Sequence, residues 1–76
     1  MSAGAARAPG DRSLVPAVTR AAAILDLVAG SSDALGVSAI ARALGLPKSS
    51  VANLCGALVD AGMLRVRGGG FRLGPR

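Results

Sequence analysis

Two short helical patterns meet at a single glycine near the middle of the chain, and this feature constrains the fold most. Ser38 is a good N-cap for the first pattern, whose apolar stripe consists of Ile40, Ala41 and Leu44. Gly45 closes this pattern where a tight turn needs a positive φ. The second pattern begins at Pro47, and its buried stripe is predicted to be Val51, Leu54, Cys55 and Leu58. Ala41 must be small because the helix that begins at Pro47 crosses it. The spacing therefore predicts a helix-turn-helix motif over residues 37–56.

Another helical pattern precedes this motif. It begins near Val15, tolerates Pro16 in its first turn and ends at the stop signal of residues 30–33. Its predicted buried stripe is Val18, Ala22, Leu25 and Val28 or Ala29, widened by Ile24 and Leu27. Residues 1–13 are small, polar, Pro or Gly. They are predicted to form a disordered tail, which leaves residues 14–76 as the folded domain.

After Gly62 the apolar residues recur at every second position. Gly62 itself is predicted to be a left-handed helix cap. Residues 64–67 and 71–73 alternate around a triple-glycine turn, which predicts a β-hairpin. Its apolar side is predicted to hold Leu64, Val66, Phe71 and Leu73, and its outer side Arg65, Arg67 and Arg72. The predicted fold is therefore mainly α with a small β-hairpin, a three-helix winged helix-turn-helix with its wing at residues 63–73.

The residue inventory excludes most catalytic and metal chemistry. The 76 residues include no His and no Glu, only four scattered Asp and one Cys. Neither a catalytic triad nor a zinc site can be built from these groups, so no enzyme, cofactor or metal is predicted. The lone Cys55 fits a reducing compartment. Because the chain has neither a secretory signal nor an apolar run long enough to cross a membrane, we expect a cytoplasmic protein without a membrane partner.

Charge is concentrated in the second half of the chain. Residues 1–36 carry three Arg and three Asp, whereas residues 37–76 carry six basic side chains and one Asp, which accounts for the whole net charge of +5. This asymmetry indicates a polyanionic partner. Phe71 is the sole aromatic residue. Since binders of single strands and RNA stack bases on several aromatic rings, double-stranded DNA is the favoured partner.

Three segments together resemble the winged helix-turn-helix of IclR-type transcriptional regulators: VPAVTRAAAILDLVAG, GVSAIARALGLPKSSVANL and LVDAGMLRVRGGGFRLGPR. The resemblance covers Val15 to Arg76 and implies DNA binding in transcriptional regulation. Such regulators usually continue through a linker helix into an effector-binding domain, and this sequence stops where the linker would begin. We therefore expect no effector response and at most a weak homodimer. Only the first helix offers a dimer surface, through Ala17, Ala21, Ile24 and Leu27.

The stripe of the third helix opposite its buried side is the predicted base-reading surface. It consists of Ser49, Ala52, Asn53 and Gly56. Asn53 can pair bidentately with adenine; a solvated helical Asn is the alternative, and within this motif base reading is favoured. The family often carries larger polar residues at 52 and 53. Glycine is costly inside a helix, and either close approach to DNA or sequence drift would explain Gly56.

The predicted phosphate contacts lie around this stripe. Lys48, Ser49 and Ser50 lie in the first turn of the third helix, where free N–H groups suit anions, although the two serines could simply cap the helix. The set is completed by Arg42, beside the DNA groove, and by three wing residues, Arg65, Arg67 and Arg72. Arg67 lies nearest the wing tip. Their alternative interpretation is a solvated polar surface. Two alternatives to DNA binding stay open, a protein–protein docking module and a non-functional fragment of a longer regulator.

Overall fold

The computed structural model describes residues 16–76, so the predicted disordered tail lies outside the described residues. This part of the chain contains α1 (Pro16–Ala29), α2 (Val37–Leu44), α3 (Lys48–Asp60), β1 (Leu64–Arg67) and β2 (Gly70–Leu73). The two strands form an antiparallel hairpin. Three helices followed by a hairpin confirm the predicted winged helix-turn-helix.

The core is entirely apolar in residues 16–76, where no polar side chain is buried. It draws on every helix and on the start of the hairpin through Ile24, Val28, Ile40, Ala41, Val51, Cys55, Leu58 and Leu64. The predicted stripes of α2 and α3 are confirmed, with Leu44 and Leu54 half-buried at their edges. Ala41 lies in this core, as its small size predicted.

The predicted buried stripe of α1 is partly wrong. Val18 is 66% exposed and Ala22 is also exposed, whereas Ile24 is fully buried. Helix α1 is apolar around most of its circumference, so the period of 3.6 allows more than one buried face. Packing on α3 and β2 selects the face of Ile24 and Val28. Ile24 is consequently unavailable to the dimer surface expected on α1.

The turn between α2 and α3 is built as predicted, but the start of α2 is not. Gly45 has a left-handed φ of +67°, and its N–H donates to the Ala41 carbonyl. Ser38 is not the N-cap, because α2 begins at Val37 and its N-cap is Gly36 in extended backbone, two residues before Ser38. Gly36 accepts the first helical hydrogen bond, from Ile40 N–H at 3.1 Å. The predicted capping role of Ser38 is therefore wrong.

Helix α3 ends in a Schellman motif centred on Gly62, whose φ is +81°. Met63 N–H donates to the Leu58 carbonyl at 2.8 Å, and Gly62 N–H donates to the Val59 carbonyl at 3.0 Å. The predicted left-handed cap is confirmed. Since the motif reverses the chain at once, β1 starts only two residues later.

The hairpin has the predicted alternation, but its apolar side is covered only in part. Leu64 pairs with Leu73 and Val66 with Phe71, so these four residues share a face. Leu64 is buried and Phe71 half-buried, whereas Val66 is 66% exposed and Leu73 is 43% exposed. The four residues therefore form the predicted apolar side, but the helices cover only part of this face. Gly68 and Gly69, both with positive φ, form the two-residue turn.

A contact that the sequence did not predict ties the wing to the helices. Leu35, between α1 and α2, forms an isolated antiparallel bridge with Phe71 through backbone hydrogen bonds of 3.1 and 2.8 Å. Gly70 lies so close to this segment that a Cβ would meet the Leu35 carbonyl carbon at 2.9 Å. Strand β2 is thus docked on the α1–α2 connection, while β1 is the outer strand.

Candidate nucleic-acid interface

Helix α3 divides into a buried face and an exposed face, as its spacing predicted. The exposed face carries all four predicted base-reading positions: Ser49, Ala52, Asn53 and Gly56. The opposite face packs on α1 and α2 through Val51 and Cys55, both fully buried. Because the buried face fixes the rotation of α3 about its own axis, the exposed stripe has a defined orientation on the domain surface.

Cys55 belongs to the buried face and takes no part in the exposed surface. Burial raises the pKa of the Cys55 thiol above its ordinary value. The thiol therefore stays protonated and poorly nucleophilic near neutral pH. This agrees with the simple interpretation of Cys55 as a small core residue.

The first turn of α3 presents polar groups without a capping side chain. Pro47 is the N-cap, and no side chain within residues 16–76 makes a cap hydrogen bond to this end of the helix. The alternative in which Ser49 or Ser50 caps α3 is therefore not what the structure shows. Lys48 and Ser49 are exposed and Ser50 is half-buried. The first backbone N–H groups of a helix have no intrahelical acceptor, so this turn can donate to an oxygen from outside.

The three wing arginines lie in different environments. Arg67 is exposed at the end of β1, next to the turn. Arg65 is exposed and donates from Nε to the Leu73 carbonyl at 3.2 Å. Arg72 is half-buried and donates from Nη1 to the Ser31 carbonyl at 3.1 Å. The wing thus offers two exposed guanidinium groups and a third that is held against the α1–α2 connection.

Arg42, the remaining predicted contact, lies exposed in the last turn of α2. There it is favourably placed at the negative end of the helix dipole. This local role is sufficient to account for a basic residue at the position. Of the predicted basic contacts, Arg42, Arg65 and Arg72 therefore each have a role within residues 16–76, whereas Lys48 and Arg67 have none there.

Residues 16–76 bring no three metal-ligating side chains together, and no helix in this range is long and apolar enough to cross a membrane.

A groove of about 400 Å³ lies between the end of α1 and the hairpin, lined in part by Leu25, Met63 and Leu73. None of the four predicted base-reading positions lines this groove, so it is separate from the exposed face of α3.

The comparisons with known proteins agree with the fold. The family model described as the IclR helix-turn-helix domain matches residues 17–68. The HTH-type transcriptional regulator TtgV of Pseudomonas putida is 36% identical over 63 residues. The crystal structure of the Agobacterium tumefaciens repressor BlcR matches with a TM-score of 0.71 and 40% identity.

The two relatives are much longer than this chain. The alignment with TtgV covers 80% of this chain and 24% of the relative, and the superposition on BlcR covers 87% and 26%. The chain therefore spans about a quarter of the length of the proteins it matches. The similarity concerns the helix-turn-helix domain alone.

Proposed function

Because the chain belongs to the family defined by the IclR helix-turn-helix domain, we propose that it binds double-stranded DNA in transcriptional regulation, in the cytoplasm. Helix α3 enters the major groove and the basic wing contacts the sugar–phosphate backbone. The observation that carries this proposal is the exposed stripe of α3, which lies opposite the buried stripe of the same helix. A role in binding, not in catalysis, is also what the names of the two relatives support.

Asn53 is the proposed base-reading residue. It is exposed near the middle of the stripe, and a carboxamide can donate to N7 and accept from N6 of adenine at once. Ala52 beside it presents a methyl group that suits the methyl group of thymine. The stripe therefore favours a site that contains A·T pairs.

Lys48 is the proposed phosphate contact on α3. A cation in the first turn faces the positive end of the helix dipole, which costs about 0.3–1 kcal/mol. Asp60 at the other end of α3 is also placed against the dipole, because a carboxylate there lies at its negative end, and no basic residue in the last turn offsets it. A bound phosphate would offset the cost at Lys48, and the backbone N–H groups of Ser49 and Ser50 would donate to the same anion.

Arg67 and Arg65 are the proposed wing contacts, and Arg42 and Arg72 complete the set. Exposed guanidinium groups bind phosphate oxygens bidentately and also enter narrow minor grooves. Arg72 has five N–H donors, and one of them already binds the Ser31 carbonyl. It therefore combines a weaker contact to DNA with the attachment of the wing.

A titration of a fluorescent duplex at about 50 mM and about 200 mM salt tests the proposal. With the five basic side chains on phosphates, log K should fall with log[salt] at a slope of about −4 to −5. One helix and one wing read a single half-site, so the Kd should be near the non-specific range of about 10⁻⁴–10⁻⁶ M at physiological salt. The same sequence as a single strand is the control and should bind more weakly.

A protein–protein docking module is the competing function. The exposed Val66 on the wing is the observation that favours it, since exposed apolar side chains occur at docking surfaces. The titration separates the two functions. A docking module gives no duplex binding, or binding that does not depend on salt, and either result would overturn the proposal.

A further inference from the structure

Gly56 is the only glycine inside a helix in residues 16–76. It occupies the ninth position of α3 and is exposed. Glycine in a helix interior shifts the folding equilibrium toward the unfolded chain by roughly fivefold relative to alanine. A glycine at this position therefore needs a reason.

The part of the domain that the structure describes supplies no such reason. Gly56 is not among the glycines with positive φ, so its backbone conformation is open to any residue. A Cβ built on Gly56 would meet no atom of residues 16–76 within 4 Å, apart from the adjoining backbone of α3 itself. Gly74 is different, because a Cβ there would lie 3.0 Å from the Gly62 carbonyl carbon and 3.1 Å from Leu64 N. Packing thus explains Gly74 but not Gly56.

The open space at Gly56 belongs to the proposed DNA surface. Gly56 follows Asn53 by three residues and Ser49 by seven, so the three positions share one face of α3. The major groove is about 12 Å wide, and a helix with its side chains is about 10–12 Å across. The size of the side chain at position 56 therefore limits how deeply α3 can enter the major groove.

We propose that Gly56 is a specificity-determining position at which the DNA backbone comes into van der Waals contact with the bare α3 main chain. This inference rests on the proposed DNA binding. The absent side chain lets the groove wall approach α3, and this brings the short Asn53 side chain within reach of base edges. A side chain at 56 lifts the helix out of the groove, so base reading is lost before phosphate contact.

The test uses Gly56→Ala and Gly56→Leu, with Ala22→Leu as the matched control. Ala22 is exposed on α1, which packs against α3 on the buried face. The wild-type chain first selects its preferred duplex from a random library. Urea unfolding then gives the stability of each variant, and titrations give its affinity for the selected duplex and for a random duplex.

Gly56→Ala should raise the folded-to-unfolded ratio about fivefold and yet weaken binding to the selected duplex. Gly56→Leu should weaken that binding at least tenfold, and more than its binding to random duplex, while Ala22→Leu leaves both affinities unchanged. Unchanged affinity of both Gly56 variants overturns the inference, as does equal loss on both duplexes. A less stable Gly56→Ala also overturns it, since the domain would then need the glycine. Failure of the wild-type chain to bind duplex DNA overturns the proposed function itself, and the inference with it.

Discussion

Helix α3 and the wing differ in how they are held and in what they carry. Helix α3 packs through a stripe that contains the fully buried Val51 and Cys55, and Lys48 and Asp60 on its surface cancel in charge. The wing is anchored mainly through Leu64 and the half-buried Phe71, and its strands carry three Arg and no acid. Helix α3 therefore supplies a surface of fixed shape, and the wing supplies the positive charge. Base reading requires side chains in a fixed geometry, whereas the attraction of exposed arginines to phosphate does not depend on close packing of the wing.

The largest expected effect is on stability, and it should distinguish the part of the wing that packs on the helices from the part that is exposed. Leu64→Ala should destabilise the domain by about 2–5 kcal/mol, because it leaves a cavity among buried side chains. Val66→Ala, on the same face of the hairpin, should cost less than about 0.5 kcal/mol, since Val66 is exposed. Urea denaturation measures both changes. Similar costs for the two variants would mean that Val66 is covered in solution.

The next effect concerns base reading by α3. Asn53→Ala should weaken binding to the duplex that the wild-type chain selects by about 1–3 kcal/mol, because a bidentate pair is lost. Binding to random duplex should hardly change, since no charge is removed. Competition titrations with the two duplexes give the ratio. Equal losses on both would assign base reading to another residue.

A smaller effect should separate two arginines of the wing. Arg67→Ala should reduce the magnitude of the salt slope by about 0.9 and leave stability unchanged, since Arg67 is exposed. Arg72→Ala should change the slope less and lower the unfolding free energy by about 0.5–1.5 kcal/mol, because its hydrogen bond to Ser31 is lost. Binding titrations at several salt concentrations and urea unfolding measure the two quantities. The assignment is reversed if Arg72 has the larger slope effect.

The smallest effect is expected at the start of α3. Lys48→Ala should raise the free energy of unfolding by about 0.3–1 kcal/mol, because a cation is removed from the positive end of the helix dipole. The same change should reduce the magnitude of the salt slope by about 0.9. Urea unfolding and salt titrations measure the two quantities. Lower stability together with an unchanged slope would show that Lys48 serves the fold and not the phosphate.

Most of the fold and of the candidate site could be predicted because local patterns encode them. Gly45 and Gly62 mark backbone positions with positive φ, and both are found in that conformation. The exposed stripe of α3 followed from its buried one. The N-cap of α2 was misplaced because Ser38 and Gly36 are both acceptable caps, and the backbone geometry placed the cap at Gly36.

The sequence by itself determined the order of the elements, the two glycine turns and the faces of α3 and of the hairpin. These features depend on residue spacing and on backbone preferences of individual residues, which act over a few positions. Only the tertiary structure decided which face of α1 is buried, since an apolar helix rich in alanine has no single preferred face. It also decided that Leu35 pairs with Phe71 and that Arg72 is held by Ser31. These contacts join residues far apart in the chain, and a single bridging residue leaves no periodic pattern in the sequence.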